Sequence, residues 1–342
     1  MRYALPKIRR SRVAAVNNFE YLSVATPEAA QEALSGQLAA RLIVGGTDLI
    51  PLMKEGLAAP SKLVDLGPWS AGRAIEETSE GMRVGALATL GEIAANEQVR
   101  SRFAALADAC GVAASPQLRN MGTIGGNLLQ QTRCWYYRGP FDCWLKGGEV
   151  CYARNGQNEQ HAIFHTAVNE SPCVSAHPSD PAAALLALDA QVEYITGEGK
   201  KVLPISELYA LPTDQRRTVT LLPDDAVITA IVLPDGSGRR RSLYRKAMPR
   251  AAYSFALVGI AIALEVLAGT IRNSRVALSG VAPIPVRSTS AEEALDGRSI
   301  IDLDDPTVPA AIVSSARPLS MNRYKVELLQ GLFKEVLAEI TR

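Results

Sequence analysis

The chain has 342 residues, 47% of them hydrophobic and 21% charged, with a formal net charge of +1. That size calls for two or three compact units with sizeable cores, and the charge balance excludes a partner chosen by bulk electrostatics, such as nucleic acid or a membrane surface. Five cysteines in such a length do not make a disulfide framework, so where they cluster the reading turns to metal or redox chemistry.

The first residues carry paired arginines (Arg9, Arg10) with no apolar run behind them, so no secretory or twin-arginine signal is expected. The basic runs KIRRSR and SGRRRSLYRK are short and separated and read as solvated surface. AAQEALSG reads as a short helix, and RLIVGGTDLIPLMKEG as a strand, a glycine turn and a second short helix. KLVDLG and GMRVGALATLGEIA carry strand-like runs. LGEIAANEQVRSRFAALADACGVAA, from Leu90 to Ala114, reads as helix on its apolar spacing. SPQLRNMGTIGGNLLQQ opens with a turn and holds a second glycine pair. DPAAALLALDA reads as an apolar helix, QVEYITGEGKKVLPISELY as a hairpin, and DAVITAIVLP as a strand.

A boundary is expected at Pro234–Ser242, which is Gly-rich and charged and ends a strand. Beyond it, Phe255–Pro283 reads as two long strands joined by a turn. Three helical stretches follow, ending in NRYKVELLQGLFKEVLAEI. The most apolar window, Phe255–Gly269, contains Glu265 and is too short to cross a bilayer. A soluble cytoplasmic protein is expected, with export on a partner's signal peptide left open.

The glycine pairs in VGGTDL and GTIGGN place backbone amides where no Cβ obstructs them, the geometry of a nest for phosphate oxygens. Thr47, Thr123 and Asn127 add side-chain donors. Neither segment fits GxxxxGK[ST] or GxGxxG, so a nucleoside triphosphatase or an ordinary dinucleotide fold is not supported. Each pair by itself also reads as a plain turn.

In order along the chain, RLIVGGTDLIPLMKEG, SPQLRNMGTIGGNLLQ and HPSDPAAALLALDA resemble the FAD-binding medium subunit of the molybdenum hydroxylases, the xanthine dehydrogenase and carbon monoxide dehydrogenase family. YRKAMPRAAYSFALVGIAIAL, GVAPIPVRSTSAEEAL and MNRYKVELLQGLFKEVL resemble the second domain of the same subunit. The likeness runs from about Asn18 onward. It implies an α+β fold: a two-lobed vanillyl-alcohol-oxidase-type FAD-binding domain over 1–236, with lobes at about 18–70 and 71–236, and a C-terminal domain over 237–342 with an antiparallel sheet and helices. The resemblance also implies that Leu42, Ile43, Val44, Gly45, Gly46, Thr47, Asp48 and Leu49 wrap the FAD pyrophosphate and ribityl chain. Thr123, Ile124, Gly125, Gly126 and Asn127 would form the facing wall. Asp180, Ile228 and Lys246 would lie toward the isoalloxazine, with Arg245 competing for the place of Lys246. Asp180 also reads as a helix cap, with proline following it.

Between Asn127 and Asp180 lies a long segment with little helical or strand pattern, and it holds Cys134, Cys143, Cys151 and Cys173 together with His161, His165 and His177. It resembles the insertion of the branch that carries an extra [4Fe–4S] cluster, as in the flavoprotein subunits of aldehyde oxidoreductase and 4-hydroxybenzoyl-CoA reductase. Four thiolates suffice for such a cube. The intervals of eight, seven and twenty-one residues match neither a compact ferredoxin run nor the paired knuckles of a zinc site. Zinc, or no metal, stays open. Trp135, Tyr136, Tyr137 and Trp144 are placed to shield a centre from water, the three histidines read as hydrogen-bonding residues, and Cys110 reads as a buried small residue.

These readings join in an electron-transfer flavoprotein of a heterotrimeric molybdenum hydroxylase. It would pass electrons between a molybdenum-cofactor large subunit with a small subunit carrying two [2Fe–2S] clusters and an external partner such as ferredoxin, NAD or a quinone. No acid–base pair or nucleophile for substrate chemistry stands out. The alternatives are a self-contained FAD-dependent oxidase and a zinc-stabilised binding module.

Overall fold

The computed structural model describes residues 16–235 and 238–342. The basic run Lys7–Arg12, the paired arginines and, within the expected boundary, Gly236 and Ser237 lie outside the described residues.

Three sheets organise the described residues. The first has three parallel strands in the order Glu20–Ser23, Lys62–Asp65, Ala40–Ile43. The helix Pro27–Leu34 makes one crossover; Thr26 caps it by accepting from the Ala29 amide at 3.2 Å, and Pro27 at its start has no N–H to leave unpaired. Leu63 and Val64 of the middle strand are buried. Because the strands are parallel, their C-terminal ends share one edge, and the segment after Ile43 emerges there, where open α/β sheets bind ligands.

The second sheet is antiparallel, in the order Ile75–Thr78, Gly81–Gly85, Val227–Pro234, Gln191–Thr196, Gly199–Pro204. Its central strand VITAIVLP is buried almost throughout, consistent with cover on both faces. The stretch expected as one helix from Leu90 is instead three, Leu90–Ala95, Glu97–Arg102 and Ala104–Val112. Asn96 breaks it: it ends the first helix in an extended conformation, and its side chain accepts the Val99 amide at 3.0 Å to start the second. The last of the three packs with the fully buried helix Asp180–Ala187 in a core continuous across the first two sheets.

The third sheet is antiparallel, in the order Val286–Arg287, Thr270–Ser279, Val258–Leu267, Arg241–Ala247. Its long hairpin is the one expected from sequence. The terminal helix Tyr324–Ile340 buries Leu329, Phe333, Val336, Leu337 and Ile340 against it, the stripe that a period of 3.6 residues aligns. Among the described residues no helix is long and apolar enough to cross a membrane.

The cysteine-rich segment forms no named strand. Its regular structure is three single helical turns, Trp135–Arg138, Trp144–Lys146 and Tyr152–Arg154. It is nevertheless anchored in the third unit, because Ile163 is fully buried in that unit's core.

Candidate cofactor site

A cavity of about 1560 Å³ opens at the carboxyl edge of the parallel sheet. That exceeds the roughly 300–1,000 Å³ usual for small-ligand pockets, so there is room for a larger ligand. It is lined by every residue from Leu42 to Leu49, by Thr123, Gly125, Gly126 and Asn127, and by Asp180, Ile228 and Lys246. Of the residues singled out for this groove from sequence, only Ile124 is not on its wall; its side chain is wholly buried in the core.

The two glycine segments play different parts. Among the described residues, no protein group accepts a hydrogen bond from the amides of Gly45, Gly46, Thr47, Asp48 and Leu49. Five consecutive amide donors on the cavity wall are thus left without a protein acceptor, as in backbone concavities that receive anions. The second segment was expected to be a loop of the same kind, and here the structure differs. Thr123 caps a short helix, Ile124–Leu128. The Ile124 and Gly125 amides donate to Ala88 O and Ala86 O at 2.9 Å each, Gly126 to Thr123 Oγ1 at 3.2 Å, and Asn127 to Thr123 O at 2.9 Å. Its amides are spent inside the protein, so it supplies a wall and the side chain of Asn127.

The glycines have equally specific reasons. A Cβ on Gly45 would lie 1.9 Å from the Met121 carbonyl oxygen, so this glycine lets the two segments touch. Gly46 has φ +64°, in the left-handed region. A Cβ on Gly125 would meet Ala86 at 3.1 Å, a contact with the protein and not with the groove, whereas one on Gly126 would meet only Thr123 Oγ1.

At another part of the groove, Lys246 Nζ lies 2.7 Å from Asp180 Oδ2, and the two side chains are 1% and 5% exposed. Tyr244 donates its hydroxyl to Asp180 Oδ1 at 2.6 Å and sits 2.8 Å from Ser279 Oγ. Burial first, then the Asp180 charge, raises the Tyr244 hydroxyl well above its ordinary value. Strand alternation separates the neighbours: Tyr244 and Lys246 share one face, while Arg245 pairs with Asp108 and Glu339 on the other. Asp180 is not the cap of its helix. Ser179 is, accepting from the Ala182 amide at 3.1 Å, which leaves the Asp180 carboxylate to Lys246 and Tyr244. Asp48 lines the groove, yet its carboxylate binds Arg133 and Arg138 at 2.8 Å each and the Gln131 amide at 2.8 Å. It ties the first glycine loop to the cysteine-rich segment.

That segment holds four free thiols. Cys134 and Cys151 pack around Tyr136, Ala153 and Val174, and Cys143 and Cys173 around Trp144 and Leu145. Cys134 lies within electrostatic reach of Cys143, Cys151 and Cys173. Burial pushes Cys134 and Cys173 up to about 12 and raises Cys143. Opposing it, the nearby backbone amides of Tyr136 and Tyr137 lower Cys134, and those of Leu145 and Lys146 lower Cys143. The origin is local: Cys134, Cys143 and Cys151 each stand at the N-terminus of a single helical turn, followed by an aromatic residue in Cys-Trp, Cys-Trp and Cys-Tyr steps. That repeated step is a sequence signal for three equivalent sulfur positions, and reading by intervals alone misses it.

The expected cage is not closed. Among the described residues no three His, Cys, Asp or Glu side chains are grouped to hold a metal ion. A single tetrahedral ion would need its thiolates within about 4 Å of one another. The buried side-chain nitrogens and oxygens without a partner among the described residues lie between Arg133 and His177. His161 Nε2 is 3.2 Å from Cys134 Sγ, and burial, then Lys325, lowers this imidazole to about 4. His177 packs edge-on against Tyr209 and burial lowers it to about 3, while His165 lies beside Thr166 O.

The sequence pattern of a family described as the FAD binding domain in molybdopterin dehydrogenase matches residues 17–236. That of the CO dehydrogenase flavoprotein C-terminal domain matches 243–340. The chain is 37% identical over 327 residues to the FAD-binding subunit of an aldehyde oxidoreductase from Escherichia coli (strain K12), covering 94% of this chain and 98% of that one. It is 26% identical over 312 residues to the carbon monoxide dehydrogenase medium chain of Hydrogenophaga pseudoflava, covering 89% and 91%. A solved carbon monoxide dehydrogenase from Hydrogenophaga pseudoflava superimposes with a TM-score of 0.74 at 24% identity, over 95% of this chain and 98% of that one, a likeness of fold.

Proposed function

The chain belongs to the FAD-binding medium-subunit family of the molybdopterin dehydrogenases, and on that premise we propose that it relays electrons between a molybdenum large subunit with its [2Fe–2S] small subunit and an external carrier. We assign FAD binding to residues 1–236, capped by 237–342. The observation that carries this reading is the row of five unclaimed amides, Gly45–Leu49, on the wall of a large cavity that the Asp180–Lys246 pair also lines.

In this reading Gly45 to Leu49 receive the pyrophosphate through N–H donors, and Leu42, Ile43 and Val44 supply the approach to them. Thr123, Ile124, Gly125 and Gly126 shape the opposite wall, and the Asn127 side chain, whose Oδ1 is taken by Ser179 Oγ at 2.5 Å, offers its NH2. Ile228 gives an apolar surface toward the ring system. Lys246 presents a cation fixed by Asp180, and Tyr244 fixes Asp180 in turn. When bound, FAD supplies the capacity to take up electrons in pairs and release them singly.

We further assign Cys134, Cys143, Cys151 and Cys173 to a [4Fe–4S] cluster, which supplies one-electron chemistry when bound. The support is their shared neighbourhood and the unpaired buried polar atoms carried by the same segment.

The test is an anaerobic absorbance spectrum of the purified chain before and after dithionite, with flavin, iron and sulfide quantified. Flavin bands over a broad, bleachable absorption, with about four irons per chain, support both assignments. Cys143→Ser and Cys151→Ser are expected to lose iron and keep flavin. Flavin without iron or sulfide in the wild type refutes the cluster. Folded, cofactor-replete protein with neither chromophore refutes the whole reading.

A further inference from the structure

The cysteine-rich segment is itself part of the cofactor groove. Gln131, Arg133, Trp135, Tyr137, Leu145 and His161 line the same cavity as Gly45–Leu49 and the Asp180–Lys246 pair. The segment is held at two places in different ways. Around His161 the hold is buried: Asn322 donates to His161 O and Ala162 O at 3.1 Å each, and Lys325 to Gln160 O at 2.9 Å. Around Arg133 it is made at the groove by partly exposed charges. Asp48 Oδ1 meets Arg133 and Arg138 at 2.8 Å each, and Asp48 Oδ2 accepts the Gln131 amide at 2.8 Å. Local opening is expected at the second place, where the fewest buried contacts have to be given up.

Asp48 therefore faces two ways. Its amide is one of the five donors without a protein acceptor, while its carboxylate holds the segment. A carboxylate on this wall repels any anion that those amides receive, and the two guanidiniums offset it.

Arg133 does more than neutralise. Its guanidinium carbon lies 5.4 Å from the centroid of the Phe255 ring, and Phe255, also on the groove wall, leads into the strand Val258–Leu267 of the third sheet. A planar guanidinium can pair with a carboxylate and lie over a ring at once. One side chain thus joins the first glycine loop, the cysteine-rich segment and the C-terminal unit where all three border the cavity. Its Nε is buried and has no hydrogen-bond partner among the described residues, a donor that the protein leaves unspent.

We propose that Arg133 latches the cofactor groove: a positioning residue that ties Asp48 to Phe255, so that bound FAD and the ordered course of the cysteine-rich segment stabilise each other. This rests on the assignment of FAD to the groove and is independent of what the four cysteines hold. The coupling is reciprocal. If the closed segment retains the flavin, the flavin protects the closed segment against opening by the same factor.

The test uses the full chain with its cofactors. Flavin release after dilution is followed by the fluorescence of free flavin, and hydrogen exchange by mass spectrometry is compared between flavin-replete and flavin-stripped protein. In the wild type, stripping the flavin is expected to quicken exchange over 130–138 and to leave the strands Val258–Leu267 and Thr270–Ser279 unchanged. Arg133→Gln is expected to release flavin at least about tenfold faster, as the loss of a hydrogen bond between charged groups does, and to exchange fast over 130–138 even with flavin bound. Arg133→Lys, which keeps a charge for Asp48, is expected to fall between the two. Phe255→Leu keeps the ion pair and loses the ring, and is expected to release flavin roughly two- to fivefold faster. Wild-type exchange over 130–138 that is indifferent to flavin overturns the latch and leaves FAD binding standing. So does a wild-type release rate in Arg133→Gln, or in Phe255→Leu where Arg133→Gln does not fold. Folded wild type that binds no flavin removes the FAD reading and the latch together.

Discussion

Lys246 and Asp180 form an ion pair of 2.7 Å with hardly any solvent contact, and the hydroxyl of Tyr244 holds the second carboxylate oxygen at 2.6 Å. The pair joins a strand of the C-terminal sheet to the first turn of the helix Asp180–Ala187, so it fixes the two parts of the chain on either side of the groove. Removing one partner leaves the other charge stranded. Lys246→Met is expected to cost about 3–5 kcal/mol and to lower flavin retention. Asp180→Asn, which can still accept from Tyr244, is expected to cost less. Urea denaturation with released flavin measured alongside checks both; Lys246→Met within about 1 kcal/mol of wild type would contradict the account.

The two glycine pairs yield opposite expectations. Gly45→Ala drives a methyl group into the Met121 carbonyl, so the glycine segments must separate, and both flavin content and thermal stability should fall. A side chain at Gly126 meets only Thr123 Oγ1 and otherwise enters the groove. Gly126→Val should therefore lower flavin occupancy while the flavin-free protein keeps its melting temperature to within about 2–4 °C. Full flavin in Gly126→Val would place the cofactor elsewhere.

Asp48 lines the groove while its carboxylate is bound elsewhere. Its carboxylate anchors Arg133 and Arg138, and Arg138 also reaches Glu55 at 3.1 Å. Asp48→Asn is expected to destabilise by about 1.5–3 kcal/mol, the range for hydrogen bonds to a charged group. Hydrogen exchange should quicken around Gln131–Arg138 more than in the parallel sheet. Uniform protection across both regions would show that the carboxylate does not hold the segment.

His177 gives a pH signature. Burial lowers it from 6.5 to about 3 in the folded chain, so between those values the unfolded chain binds the proton that the folded chain refuses. Its contribution to stability is complete above 6.5 and is lost as pH falls toward about 3. His177→Phe, which keeps a ring against Tyr209, should flatten that decline by up to one proton. Unfolding free energies at pH values on either side of 6.5 test it; identical slopes in both proteins would exclude His177 as a source.

Much of the candidate site is legible in linear order because its chemistry is local. A glycine pair after a strand, a proline after an acid at a helix start, and alternation along YRKA depend on neighbours within a few positions. The sequence also locates the concentration of cysteines and, in hindsight, their repeated step into an aromatic residue. Hydrophobic period carries the long hairpin and the terminal helix for the same reason. It fails between Leu90 and Val112 because the apolar spacing persists through two breaks made by side-chain capping at Asn96 and the turn at Phe103.

What tertiary structure alone decided is which groups are already spent. The amides of Ile124–Asn127 look as available as those of Gly45–Leu49 until Ala86 and Ala88 arrive from another strand end to take two of them. The Asp48 carboxylate looks available to the groove until two arginines more than eighty residues away close on it, leaving only its amide there. Lys325 looks like one of several helix-surface charges until the cysteine-rich segment folds over it. Hydrogen-bond donors and charges are assigned by whatever lies within about 3 Å. That proximity, between positions far apart in the chain, is the part that linear order does not encode.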